Sequence, residues 1–144
     1  MKKNYFILVL IIAFVAFGCK KSDSVTPSEF NITGTWNVDS IHTIEYGNNI
    51  KLDEYTQNMK GTTAVFKTDG KFIISYMGED PESGEYRYDA VAKTISLKYD
   101  GETSFTTAPI IQQTAGKLVI RSTVNYDTPV GGVDKEIVTI YLSR

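Results

Sequence analysis

The sequence predicts an all-β domain, an eight-stranded antiparallel barrel of up-and-down topology or a related sandwich. From Gly34 onward, apolar side chains recur at every second position, which is the period of a strand with one buried face. Turn-forming pairs such as Asp69-Gly70 and Asp100-Gly101 separate the runs. Because short turns join most runs, each is expected to pair with its neighbour in sequence, and closure into a barrel would remove the exposed edges.

The individual strands follow from this alternation. Asp69-Gly70 supplies the positive φ angles of a tight hairpin between the second and third strands. The fifth run alternates cleanly, since Ile95 and Leu97 share one face. The longest connection, residues 46–61, is expected to form a short helix or a loop across one mouth of the barrel. The eight predicted strands are residues 35–45, 62–67, 71–77, 85–89, 94–99, 103–107, 117–124 and 136–142.

The N-terminus has the pattern of a secretory signal. Lys2 and Lys3 precede residues 5–17, which carry no charged side chain. This apolar run is shorter than the roughly 20 residues that a membrane-spanning helix needs. Gly18 and the chain's single cysteine, Cys19, follow it directly. A cleaved signal that leaves a buried free thiol fits less well, because Cys19 lies among linker residues.

Ala16-Phe17-Gly18-Cys19 resembles the end of a bacterial lipoprotein signal, in a relaxed form. The resemblance implies that Cys19 carries a thioether-linked diacylglycerol and becomes the new, acylated N-terminus, so that the lipid anchors the protein to a membrane. Lys20 stands where an aspartate can retain some lipoproteins in the inner membrane. We therefore expect the outer membrane of a bacterial envelope, on its periplasmic or cell-surface face. The expected organisation is signal peptide 1–18, lipidated cysteine and flexible tether 19–30, and barrel domain 31–144.

Composition excludes several classes of function. Without residues 1–18 the chain keeps 13 basic against 17 acidic side chains, a formal charge of −4, which argues against nucleic acid as a partner. One cysteine cannot form an internal disulfide, so the fold depends on its apolar core. The sequence has no zinc-ligand set, no Gly-x-Ser-x-Gly and no phosphate-binding glycine loop. We expect no enzyme activity, no cofactor and no metal site.

Gly34-Thr35-Trp36 at the start of the first strand resembles the Gly-x-Trp signature of lipocalins and lipocalin-like bacterial lipoproteins. Segments 66–72, 84–86 and 94–97 are also similar to the lipoprotein branch. The resemblance implies a lipocalin-like barrel with Gly34 and Trp36 as structural signature residues, Trp36 closing the base. It also implies that a late arginine packs over the tryptophan, and Arg121 and Arg144 are the candidates.

Two functions from different classes remain open. In the first, the barrel lumen binds a small hydrophobic or amphipathic ligand. In the second, the lumen is filled and the protein is an interaction module, an inhibitor or accessory subunit of an envelope complex. The free volume of the lumen separates the two. Strict alternation places one set of side chains on the face of the lumen: His42, Phe72, Ile74, Tyr76, Tyr86, Tyr88, Ile95, Leu97 and Tyr99. A β-bulge in the first strand would reverse the direction of His42, which could then be a hydrogen-bonded rim residue.

Overall fold

The computed structural model describes residues 30–126 and 132–144. Eight antiparallel strands form a closed barrel in sequence order, with the first strand paired to the last, so the predicted fold class is confirmed. The strands are β1 (Gly34–Gly47), β2 (Ile50–Phe66), β3 (Lys71–Ser75), β4 (Glu82–Asp89), β5 (Thr94–Tyr99), β6 (Thr106–Thr114), β7 (Lys117–Asn125) and β8 (Lys135–Ser143). Within these described ranges no helix has the length and apolar character needed to cross a membrane. The predicted signal peptide, Cys19 and the tether as far as residue 29 lie outside the described residues.

The prediction of a loop or short helix at residues 46–61 is wrong. β1 and β2 instead form one long hairpin whose two-residue turn is Asn48-Asn49. Both asparagines have positive φ angles, 54° and 62°, as a turn of this kind requires. Asparagine tolerates this conformation better than most residues with a side chain. β2 consequently runs for 17 residues.

Four strands continue beyond the closed part of the barrel. β3 pairs with β2 only over residues 63–66, and β6 pairs with β7 no further than Ile120. The remaining parts of β7, β8, β1 and β2 stay paired with one another and form a four-stranded sheet, here called the extension. One of its two outer edges is residues 50–58 of β2, which pair with β1 alone among the described strands, and the other is residues 121–125 of β7, which pair with β8 alone.

A β-bulge in β1 exchanges the inward-facing and outward-facing positions in the second half of that strand. Val38 pairs with Leu142 and Ser40 with Tyr141, so Asp39 is an extra residue between them. Trp36 and Val38 face the lumen, as predicted. Beyond the bulge the inward positions are Ile41 and Thr43, and the predicted inward positions at Ser40, His42 and Ile44 are therefore wrong.

The sixth strand is displaced from its predicted position at 103–107. Proline is disfavoured inside a sheet, because it cannot donate a hydrogen bond to a neighbouring strand. In the structure, β6 includes Pro109 opposite Thr94, and Ile110 beyond it is buried in the core. From Ile110 onward β6 pairs with β7, and a register shift lies between Ile110 and Gln112.

Trp36 closes the base of the barrel. Its side chain is fully buried, and its indole Nε1 donates a hydrogen bond of 2.8 Å to the carbonyl of Ile32. Phe30, assigned to the tether by the sequence, packs here with its ring 6.1 Å from that of Trp36 and 5.6 Å from that of Tyr88. Phe30 therefore belongs to the packed base, although it lies one residue before the predicted domain boundary.

Arg144 is the arginine that covers Trp36. Its guanidinium carbon lies 4.1 Å from the centre of the tryptophan ring. The same guanidinium donates hydrogen bonds to the carbonyls of Asn31, Thr33 and Ala115. The expected pairing of a late arginine with Trp36 is confirmed, and Arg144 rather than Arg121 makes it.

Candidate functional site

A cavity of about 170 Å³ lies in the lumen between the packed base and the extension. Its wall is almost entirely apolar. Two larger hollows, of about 290 and 350 Å³, share only Val38 with it and are lined mainly by charged and polar residues. The lumen cavity is therefore the candidate site for an apolar ligand. It is lined by Val38, Ile41, Met59, Thr62, Ala64, Phe66, Ile74, Tyr76, Leu97, Tyr99, Ile120, Ile140 and Leu142.

Four of the nine residues predicted to contact a ligand line this cavity. They are Ile74 and Tyr76, at the end of β3 and just beyond it, and Leu97 and Tyr99 on β5. Pairing of β4 with both strands places these side chains around the same part of the lumen.

Phe72 and Ile95 face inward, as predicted, but belong to the packed core below the cavity. Both are almost completely inaccessible to solvent. The Phe72 ring packs edge-on against Tyr99, with the ring centres 5.1 Å apart. Their role in this structure is to fill the lumen rather than to border its free space.

Tyr86 and Tyr88 also lie outside the cavity wall, and their hydroxyls bond to the protein. The Tyr86 hydroxyl donates a 2.7 Å hydrogen bond to the carbonyl of Lys67, and burial raises the pKa of Tyr86, with a smaller contribution from the charge of Asp69. The Tyr88 hydroxyl donates to Gln113 Oε1 at 3.1 Å. Both rings belong to the aromatic packing around the base.

His42 points away from the lumen because of the bulge at Asp39. Its Nε2 lies 3.0 Å from Glu54 Oε1, and the Lys51 ammonium lies 2.7 Å from the other oxygen of the same carboxylate. The hydrogen bond from Lys51, with a further one from His42, lowers the pKa of Glu54. His42 is part of a surface ion-pair network on the extension and does not line the cavity.

Tyr76 and Tyr99 place phenol groups in the wall at the upper end of the cavity, here called the rim, and the exposed carboxylate of Glu82 lies next to Tyr76, outside the lining residues. The Tyr76 hydroxyl donates a 3.0 Å hydrogen bond to Glu82 Oε2. Burial, followed by this hydrogen bond, raises the pKa of Tyr76 to about 12. Burial also raises the pKa of Tyr99, and the nearby charges of Glu82 and Glu102 add to the effect. Both hydroxyls therefore stay protonated at neutral pH.

No metal site accompanies this rim in the described part of the chain, where no three His, Cys, Asp or Glu side chains are grouped suitably for an ion. Nor does any buried side-chain nitrogen or oxygen of those residues lack a hydrogen-bond partner.

Comparison with known proteins agrees with this geometry. The family model of the lipocalin-like domain matches residues 32–120, from the strand that carries Trp36 to the cavity residue Ile120. The chain belongs to the lipocalin-like domain family. Its fold is similar to that of a lipocalin-like protein from Bacteroides uniformis ATCC 8492, whose crystal structure was determined at 1.79 Å resolution. The TM-score is 0.50 and the identity 12%, over 78% of this chain and 96% of that one. No curated protein matches the chain.

Several cavity residues of this lipocalin-like barrel were not found from the sequence. Ile41 was missed because the bulge reverses alternation, and Met59 because its segment was taken for a connection. Ile120, Ile140 and Leu142 sit in correctly predicted strands, where alternation alone would have placed them inward.

Proposed function

We propose that this lipocalin-like protein is a lipid-anchored lipoprotein of the bacterial envelope whose lumen binds one small hydrophobic or amphipathic molecule. The observation that supports binding is the apolar cavity between the Trp36 base and the Tyr76 rim. An eight-stranded barrel can be filled entirely by side chains or can leave space for one small ligand, and free space remains here. At about 170 Å³ the cavity is smaller than a drug-sized pocket, so it suits a short chain or a single ring.

The anchor rests on the sequence. Cys19 is the only cysteine and directly follows a short apolar signal, which supports lipidation at this residue. Two or more acyl chains would hold the domain stably at a membrane, without a basic surface patch. The outer membrane of the envelope is the proposed location.

Ligand binding is tested with an environment-sensitive apolar dye. Leu97→Trp adds bulk directly into the cavity wall and should lower dye affinity by at least about tenfold, since steric overlap of more than about 1.4 kcal/mol is enough for that loss. Ala64→Met, with a flexible side chain at a small lining residue, is a second variant in case the first unfolds. Ile111→Trp, at an exposed position outside the lumen, is the matched control and should bind as wild type does.

Circular dichroism establishes that each variant is folded. Dye binding that survives both lumen substitutions in folded protein would contradict the proposal. If the lumen substitutions do abolish dye binding, native mass spectrometry of the purified domain should identify the natural ligand as a co-purified small molecule.

The outer edge of the extension that β2 forms favours a second function, binding of an envelope protein. Residues 50–58 present one side of their backbone without a partner strand among the described residues. Ile50 and Leu52 on this edge are 67% and 52% exposed. An extended segment of another protein could add a strand here. A photo-crosslinker at position 52 should then capture one defined envelope protein, whereas one at Val91, in the exposed β4–β5 turn, should not.

A further inference from the structure

The charged group at the upper end of the cavity is a hydrogen-bond acceptor, the carboxylate of Glu82, and the lining residues include no charged donor. The one hydroxyl proton of Tyr76 is directed to Glu82 Oε2. What remains toward the cavity is the lone pairs of the phenol oxygen and the rest of the carboxylate. The Tyr99 hydroxyl borders the same space and has no hydrogen-bond partner within the described part of the chain.

The charge at this rim is negative and is not neutralised by the protein. The ion pairs that the described residues form are His42–Glu54, Lys51–Glu54 and Lys98–Glu85, so none involves Glu82. Glu82 is a solvent-exposed side chain, so its attraction for a cation is partly screened by water and adds to the hydrogen bonds that the cation donates.

The lumen-facing side of the extension also carries negative charge. Beyond Ile41, alternation along β1 places Glu45 on that side, opposite Glu136 of β8. These carboxylates accept hydrogen bonds from tyrosine, Glu45 from Tyr55 at 3.4 Å and Glu136 from Tyr126 at 2.6 Å. Among the described residues, the polar groups named on this side of the extension are therefore carboxylates and phenols.

We propose that the cavity selects amphipathic molecules whose polar end is a protonated amine, with the apolar body in the lumen and the ammonium group at Tyr76 and Glu82. The inference rests on the proposed ligand-binding function and names the class of ligand. An ammonium group donates three hydrogen bonds, and its bond to a carboxylate is about twice as strong as a neutral one. Its positive charge is also attracted to the faces of the surrounding tyrosine rings.

Other head groups fit this rim less well. A neutral alcohol can donate one hydrogen bond to Glu82, without the electrostatic contribution. A carboxylate or phosphate is repelled by Glu82 and finds no charged donor around the cavity. The predicted order of affinity at equal chain length is therefore amine, then alcohol, then carboxylate.

The test is competition against a neutral single-ring dye whose fluorescence depends on its environment, 4-(dimethylamino)benzonitrile, by 1-hexylamine, 1-hexanol and hexanoate at pH 7. Equal chain length keeps the apolar contribution constant. Hexylamine should displace the dye at a concentration about tenfold or more below that for hexanoate, with hexanol between them.

Two variants locate the preference. Glu82→Gln should bring the affinity for hexylamine down to about that for hexanol while leaving hexanol itself unchanged. Glu85→Gln is the matched control, since it lies on the same strand, removes the same charge and is paired with Lys98 at 3.1 Å. It should keep the preference of the wild type.

The outcomes separate this inference from the proposed function. If the dye binds and hexanoate competes as well as hexylamine, or if Glu82→Gln keeps the amine preference, the inference is overturned and the binding lumen stands. If folded protein binds neither the dye nor any of the three competitors, the proposed function fails, and the inference fails with it.

Discussion

Replacing Trp36 with alanine should remove about 3 to 5 kcal/mol from the free energy of unfolding, the range found for large aromatic side chains in protein cores. Trp36 is fully buried at the base of the barrel, between Ile32, Phe30 and the remaining core. Its loss also leaves the carbonyl of Ile32 without the indole donor, and it frees the guanidinium of Arg144 from its ring. A domain of this size has about 5 to 15 kcal/mol of stability in total, so the variant would be close to unfolding.

The assay is urea unfolding followed by far-ultraviolet circular dichroism. Tryptophan fluorescence cannot follow the variant, because Trp36 is the only tryptophan of the chain. With a denaturant slope of about 2 kcal/mol per molar, a loss of 4 kcal/mol moves the midpoint by about 2 M urea. Trp36→Phe, which keeps an apolar ring without the indole donor, should lose less than Trp36→Ala.

Arg144→Gln separates the covering contact from burial of the ring. Arg144 is solvent-exposed, so its attraction to the indole should contribute about 0.5 to 1 kcal/mol, and the loss of its hydrogen bonds to the carbonyls of Asn31, Thr33 and Ala115 adds to this value. A loss below about 1 kcal/mol for Trp36→Ala would refute the assignment of the ring to a fully packed base. An Arg144→Gln loss equal to that of Trp36→Ala would show that the arginine, rather than ring burial, holds the base together.

Two other positions give separate tests. Gly84→Ala would place a methyl group against the carbonyl oxygen of Lys98 and 2.8 Å from the Phe72 ring, so the strands must move apart. Urea unfolding should show that the free energy of unfolding falls by about 1 to 3 kcal/mol or more. A variant as stable as the wild type would contradict the close strand packing. Cys19→Ser should abolish incorporation of labelled fatty acid and release the protein from the membrane fraction, and unchanged labelling would refute the proposed anchor.

Strands with one buried and one exposed face were predictable from sequence. The fifth strand, Thr94–Tyr99, has the predicted bounds, because its alternation and its flanking turns are both local signals. Residues 50–58 have no such pattern. They belong to the extension and are exposed on both faces, so neither face carries apolar periodicity and nothing local marks them as a strand.

The direction of His42 depends on information that alternation cannot supply. The bulge at Asp39 is defined by how β1 pairs with β8 and with β2, and three residues of β2, Met59 to Gly61, lie across from it. These pairings are contacts between distant parts of the chain. One extra residue exchanges the two faces of every later position, which is why Ile41 borders the cavity and His42 bonds to Glu54.

The hydrogen-bond partners of the tyrosine hydroxyls decide which tyrosines are available to a ligand. All four tyrosines predicted for the lumen face inward or pack on the core, and their hydroxyl partners separate them. Tyr86 and Tyr88 bond to groups of the protein near the base and complete its packing. Tyr76 and Tyr99 lie at the other end, where free volume remains. The partner of the hydroxyl is therefore the better guide to function than the direction of the ring.

The base and the cavity lie at opposite ends of the barrel, and this decides which end the proposed anchor is attached to. The described chain enters at the base, where Phe30 packs on Trp36, while the cavity and its rim lie toward the opposite end, beyond Ile41. With a lipid on Cys19, the tether would join the closed end of the barrel. The mouth would then be the part of the domain farthest from the point of attachment. A ligand that enters at the mouth would accordingly pass the carboxylates of the extension before it reaches Tyr76 and Glu82.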